Sequence, residues 1–278
     1  MPIRARQPAM PSVLLTPQSS RPVHPVAPAR TAYLILDTES IPDGELLASV
    51  KFPGKSPEEA IELARTEALA ANGSDFLPVA FQIPIAACVL RVGNDFHLQS
   101  LAILDAPDFR PSGIAAKFWQ GVRLYGEAKL VTFNGRRFDL PLLELAAFRH
   151  GIAAKEYMAS RRHRYGGSLD LFDWLSNFGA VRLHGGLNLL AKMLGKPGKM
   201  DFDGSMVLAL HREGRIAEIN QYCLCDTLDT YFVFLRTRVM TGELSREGET
   251  AAIRAARALL ERRRADFPML GQYLEAWK

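Results

Sequence analysis

The 278-residue sequence is poor in cysteine, with only Cys88, Cys223 and Cys225. Three thiols make neither a disulfide framework nor a recognisable zinc spacing. Cys223 and Cys225 stand two apart in a helical segment, where side chains do not face one another, so all three read as reduced packing residues. Long apolar runs are missing too: no stretch approaches the ~20 residues of a membrane span. The first thirty residues lack the positive-then-apolar order of a secretory signal, and the expected location is the cytoplasm. The net charge is only +4, and none of it lies beyond residue 30. Of 34 basic residues, Arg4, Arg6, Arg21 and Arg30 stand in a segment without an acid, which leaves 30 to face 30 acids. Global charge therefore gives no warrant for a nucleic-acid partner, and any such argument rests on local clusters. No internal repeat is apparent. A composition of 48% apolar and 23% charged residues is ordinary for a globular chain with ample core.

Residues 1–30 hold Pro2, Pro8, Pro11, Pro17, Pro22, Pro25 and Pro28 with little periodicity, and are expected to be a disordered Pro/Arg-rich tail. Ala32 to Leu36 reads as a first strand. "SPEEAIELARTEALAA" opens with Ser56 as N-cap, Pro57 at the first helical position and Glu59 at the third, a capping-box arrangement. It falls in a helical insertion expected over residues 44–80. "FQIPIAACVLRV" and "FHLQSLAIL" read as two strands joined by a turn at Gly93-Asn94-Asp95. A helix, "GIAAKFWQGVRLYGEA", and a fourth strand, "KLVTFNG", follow, the strand ending in an Asn-Gly turn. "FDLPLLELAAFRHG" makes a helix closed by Gly151, and "GGLNLLAKMLG" a short one. "RIAEINQYCLCDTLDTYFVFLRTRVMTG" makes a long helix with Leu228, Tyr231, Phe232, Leu235 and Val239 on one apolar stripe. Residues 241–278 read as a locally basic helical extension. Strands first, then helices alternating with strands, favour one α/β domain with a mixed sheet.

Acids stand where such elements end. "TAYLILDTESIP" carries Asp37 and Glu39 two positions apart, hence on one face of a strand. Two adjacent carboxylates repel and are costly to desolvate. "TFNGRRFDLP" reaches Asp139 at a helix start, where an acid is also favoured by the helix dipole alone. "YCLCD" sets Tyr222 and Asp226 one turn apart on a shared face. Asp229 lies near that face as well, and spacing does not separate it from Asp226.

In this order, the Asp-x-Glu, the Asn-Gly-x-x-Phe-Asp and the Tyr-x-x-x-Asp resemble the motifs of the exonuclease domain of family-B DNA polymerases and, more broadly, of the DEDD superfamily of 3′–5′ exonucleases. The resemblance covers roughly residues 31–240. It is closest to a bacterial stand-alone group of predicted exonucleases, whose signature "LGKPGKMDFDGSMV" looks like. It implies a ribonuclease-H-like α/β fold: a mixed five-stranded sheet flanked by helices, here with extra C-terminal helices. It also implies that Asp37, Glu39, Asp139 and Asp226 bind metal, with Tyr222 as the family's tyrosine. Gln221 stands where the histidine subtype carries His, which makes this chain of the tyrosine subtype. The implied cofactors are two divalent cations, Mg²⁺ or Mn²⁺; hard ions of this kind favour carboxylate oxygens and activate water for phosphodiester hydrolysis. By resemblance, Asp37 would bridge both ions, Glu39 and Asp226 would complete the shell of the first, and Asp139 would hold the second. Tyr222, with a phenol pKa near ~10, would position water rather than act as a base.

Substrate contacts are expected from Asn134 and Phe138 of the turn motif, Arg161, Arg162 and Arg164 of "RRHRYGG", and Lys199 of "GKPGK". Arginines grip phosphates and stack on bases, and aromatics wedge against them. The same residues also suit a solvated loop, a core ring and a plain turn. Lys196 shares the alternatives of Lys199. Asp170 and Asp173 read as helix caps or as outer supports of a metal. None of the histidines is assigned catalysis, and Arg262 to Arg264 read as a solvated face. The expected protein is a stand-alone 3′–5′ exonuclease releasing nucleoside 5′-monophosphates. Its expected partner is the 3′ end of nucleic acid, single-stranded DNA before RNA. An exoribonuclease and an idle nucleic-acid-binding protein are the alternatives.

Overall fold

The computed structural model describes residues 29–161, 167–200 and 204–278, so the reading of residues 1–30 as a tail lies, but for Ala29 and Arg30, outside the described residues. The sheet is built from β1 (Thr31–Pro42), β2 (Gln82–Gly93), β3 (Leu98–Ile103), β4 (Lys129–Thr132) and β5 (Ser168–Asp170), in the order β3-β2-β1-β4-β5. The first three pair antiparallel, β2 and β3 through a tight turn and β1 and β2 through a long helical connection, whereas β1–β4 and β4–β5 pair parallel. Parallel neighbours need a crossover, which α3 (Pro111–Leu124) supplies between β3 and β4. This is the mixed five-stranded sheet expected of the ribonuclease-H-like fold. Its shortest strand, β5, was not separable in the sequence from the helix that follows it.

The alternation of β1 divides the molecule. Ile35 and Ile41 point into one core, and Leu34 and Leu36 into another. The second core is closed by α3 and α4 (Asp139–His150). The first is closed mainly by α8 (Ile216–Met240), the long central helix.

Two short helices, α1 (Gly44–Val50) and α2 (Pro57–Asn72), follow β1 and enclose a small core of Leu47, Ala60, Ile61, Ala64 and Leu77. Burying a leucine of this kind stabilises by roughly 1.5–3 kcal/mol. The capping box of α2 is formed: the Glu59 N–H donates to Ser56 Oγ at 3.2 Å, and the Ser56 N–H to Glu59 Oε2 at 2.9 Å. Further along come α5 (Leu171–Leu175), α6 (Gly186–Met193) and α7 (Val207–Arg212). Last are α9 (Arg246–Arg263) and α10 (Pro268–Ala276), whose Ala252, Leu260, Tyr273 and Leu274 enter the same core as α8.

Two expectations are corrected. The first strand does not stop at Leu36 but runs to Pro42, because β2 continues to pair with it beyond the acids. The long helix is not apolar on a single stripe. Cys223, Thr227, Thr230 and Phe234 are as buried as Leu228 and Tyr231, because the sheet lies on one side of α8 and helices on the others. A helix enclosed in this way is read by its burial rather than its stripe.

Candidate active site

β1 keeps its antiparallel neighbour past Asp37 and Glu39, but its parallel pairing with β4 ends at Ile35 opposite Val131. From that point one edge of β1 is open, and the chain of β4 turns away through Asn134 and Gly135. The register against β2 also shifts between Glu39 and Ser40, an irregularity of the kind that re-aims side chains beside functional sites. Asp37 and Glu39 stay in phase with Ile35 and Ile41 and so face α8.

From that helix comes Asp226. One carboxylate oxygen each of Asp37, Glu39 and Asp226 lie within 4.8 Å of one another, all three side chains half-buried. Tyr222, one turn earlier and 3% exposed, donates its hydroxyl to the Asp226 carboxylate. The helix is seated on the strand by Cys223, whose thiol donates to the Asp37 carbonyl at 3.3 Å.

Asp139 arrives from the other face. Thr38, between the two β1 acids and therefore pointing oppositely, donates its hydroxyl to Asp139 Oδ1 at 2.6 Å. Asp139 is buried at the first turn of α4 and stands beside the trio rather than within it. Its entry is shaped by the turn: Asn134 adopts a left-handed φ of 64°, and a Cβ on Gly135 would lie 2.5 Å from the Thr132 side chain, an approach only glycine permits. Asp170 holds this turn in place. Its carboxylate accepts the backbone N–H groups of Asn134 and Arg136, both at 2.9 Å, and also caps α5 through Phe172 and Asp173. Thr38 carried no sequence signal beyond its place between two acids. Asp170 was legible only as a cap.

Electrostatics set these acids apart. Desolvation, then the charges of Asp139, Asp226 and Glu39, push Asp37 well above the ordinary carboxylate range. Glu39 is raised for the same reasons, against a partial opposing pull from Lys199. Desolvation lifts Asp139 to about 6 despite its bond from Thr38. It also lifts Asp226 to about 6 despite Tyr222 and Lys199. Loss of water around Tyr222, with the Asp226 charge beside it, drives its phenol far above the usual value and keeps it protonated. A cluster of oxygen-only donors that resist ionisation for want of counter-charge suits a hard divalent cation.

Other expected residues fall variously. Phe138, half-buried, lies with its ring centroid 5.3 Å from that of Phe76. Lys199 stands near enough for its charge to pull the pKa values of Glu39 and Asp226 down, its backbone N–H donating to Asn188 Oδ1 at 2.9 Å. Lys196 is not a surface phosphate ligand. It is buried with its ammonium 4.2 Å from the Trp277 ring centroid and 4.9 Å from that of Phe232. Asp229 turns from the site to accept the Tyr273 hydroxyl at 2.6 Å. Gln221 accepts the Met269 N–H at 3.0 Å. Arg161 ends a π-helical turn, Tyr157–Arg161, while Arg162 and Arg164, like residues 201–203 of the signature, lie outside the described residues.

Residues 74–277 match the model of a family described as a predicted 3′–5′ exonuclease related to the exonuclease domain of PolB. The chain belongs to this family. The match takes in Asp139, Tyr222 and Asp226 and runs on through α9 and α10, past the residue 240 at which the motif resemblance ended; it begins after β1, so Asp37 and Glu39 lie before it. Among solved structures, E. coli exonuclease I in complex with a 5cy-dT13 oligonucleotide is 16% identical, over 51% of this chain and 39% of that one, at a TM-score of 0.31. A second exonuclease I structure is 17% identical over 58% and 40%, at 0.30. The chain thus spans about two fifths of the length of those chains. No curated protein matches it. Among the described residues, no helix is long and apolar enough to cross a membrane.

Proposed function

We propose that this chain is a 3′–5′ exonuclease, removing nucleoside 5′-monophosphates from the 3′ end of DNA, single-stranded by preference, with two divalent cations. The observation that carries the reading is the meeting of Asp37, Glu39 and Asp226, from a strand and a helix far apart in sequence, within 4.8 Å. Asp37, Glu39, Asp226 and Asp139 would hold the cations, Mg²⁺ or Mn²⁺. Such ions, when bound, acidify a water and supply counter-charge to the phosphodiester.

The chain's own groups account for the rest. Tyr222 stays protonated, so it donates: it fixes the Asp226 carboxylate and, with Glu39, orients the attacking water. Thr38 holds Asp139, at the start of α4, against β1. Lys199 brings a positive charge to the rim, where a scissile phosphate carries negative charge. Phe138 offers a ring next to Asp139 for the terminal base. Asn134 completes the rim from the turn. Relationship to the exonuclease domain of PolB supports DNA over RNA.

The test uses matched 5′-labelled DNA and RNA strands with Mg²⁺ or Mn²⁺, beside an Asp37→Ala control. A ladder shortening from the 3′ end of DNA, absent in the variant, is expected. Preferential RNA degradation would reassign the substrate. Survival of both strands would move the protein to the class of idle nucleic-acid binders.

A further inference from the structure

An exposed ring stands beside the acids with no part in the mechanism above. Phe76 is 59% exposed, although leaving so large an apolar group in water forgoes hydrophobic stabilisation. Both of its neighbours are anchored. Asp75 pairs with Arg65 of α2, and Leu77 is 3% exposed in the small α1–α2 core. The Leu77 carbonyl further accepts Gln82 Nε2 at 3.2 Å, and α2 ends in Gly73 at φ 71°. The segment is therefore pinned on either side of Phe76, and the ring is held outward.

What it meets there is Phe138, centroid to centroid 5.3 Å and inclined by 53°. Phe138 immediately precedes Asp139, which Thr38 joins to the acid-bearing strand. On its other side Phe76 borders a groove that also includes Ser40, Pro42, Leu77, Ser205 and Leu208. Ser40 directly follows Glu39. The groove thus joins the strand residue that follows Glu39 to the exposed ring.

We infer that Phe76 is a specificity-determining residue: with Phe138 it forms a two-ring platform that stacks the bases of an unpaired 3′ end. This rests on the nucleolytic reading above and deepens it. Aromatic faces accept any base, because every base has a π-face, and they accept it only when it is free of its own helix. A paired, stacked terminus must first be opened, so the platform favours single strands and frayed ends.

The experiment places 2-aminopurine at the 3′ terminus of a single strand and follows its fluorescence on binding, in an Asp37→Ala background so that the strand stays intact. Quenching is expected, lost in Phe76→Ala and Phe76→Leu and retained in Phe76→Trp, with thermal unfolding of the variants unchanged. With Asp37 restored, Phe76→Ala is expected to raise KM for single strands between about 5- and 150-fold, as loss of one base–aromatic stack implies, with kcat within about twofold. Absence of quenching, full quenching in Phe76→Leu, or an unchanged KM in Phe76→Ala would each overturn the inference. Failure of the nucleolytic reading looks different: uncut strands with intact Phe76 and Asp37, while the fluorescence still reports whether the platform binds.

Discussion

Thr38 shows how one hydroxyl can serve a site it does not line. Its bond to Asp139 at 2.6 Å ties α4 to the strand carrying Asp37 and Glu39, and a buried carboxylate deprived of a donor is costly. Thr38→Val keeps the shape and removes the bond. It is expected to lower kcat about 10- to 100-fold, in line with other supports of metal ligands, and to lower unfolding stability by about 1–3 kcal/mol. Chemical denaturation and steady-state kinetics check the two together. Tyr222 makes the complementary case. Because its phenol is raised by desolvation and by Asp226, it stays protonated across the working range. Tyr222→Phe should therefore lower kcat about 10- to 100-fold while leaving the alkaline limb of the pH–rate profile where it was. A displaced limb would make Tyr222 a titrating base.

At the scale of elements, the site depends on how β4 hands over to α4. Asp170 accepts four backbone N–H groups, two from the turn at Asn134 and Arg136 and two from the start of α5. Removing it uncaps α5 and orphans two partly buried donors of the turn. Asp170→Ala is expected to cost about 2–4 kcal/mol in urea unfolding, from the sum of a cap and an unsatisfied pair. It should also cut activity, because Phe138 and Asp139 leave that turn. Asp170→Asn retains an acceptor and should fall between the variant and the parent.

The whole molecule carries a linkage between pH, metal and stability. Asp139 and Asp226, each raised to about 6 chiefly by desolvation, keep their protons in the folded state at a pH where the unfolded chain has released them. The folded state is favoured most below the ordinary carboxylate range, and that advantage is lost as pH climbs through about 6. Without metal, the melting temperature should fall by several degrees between pH 5 and pH 8. Mg²⁺ binds ionised carboxylates, so its stabilising effect should be small at pH 5 and large at pH 8. Calorimetric scans with chelator and with Mg²⁺ measure both. Equal stabilisation at the two pH values would deny metal binding at this cluster.

What could be read from the residues was local. Period-two alternation put Asp37 and Glu39 on one face, one helical turn put Tyr222 with Asp226, and Ser56 with Glu59 announced a cap, because each depends on neighbours a few residues apart. The order of the motifs pointed to the fold through the family resemblance. What no short-range rule could settle was which groups meet. Asp226 and Asp229 stand three residues apart on one enclosed helix, yet the first joins Asp37 and Glu39 while the second bonds to Tyr273 of α10. Lys196 and Lys199 stand three apart in one turn, yet the first is buried between aromatic rings. Thr38 reaches Asp139 across a hundred intervening residues. The local pattern determined which side chains were on offer. The packing of α8, α4 and α10 around one strand decided which of them face the site, because a buried helix turns its polar groups to whichever neighbour can satisfy them.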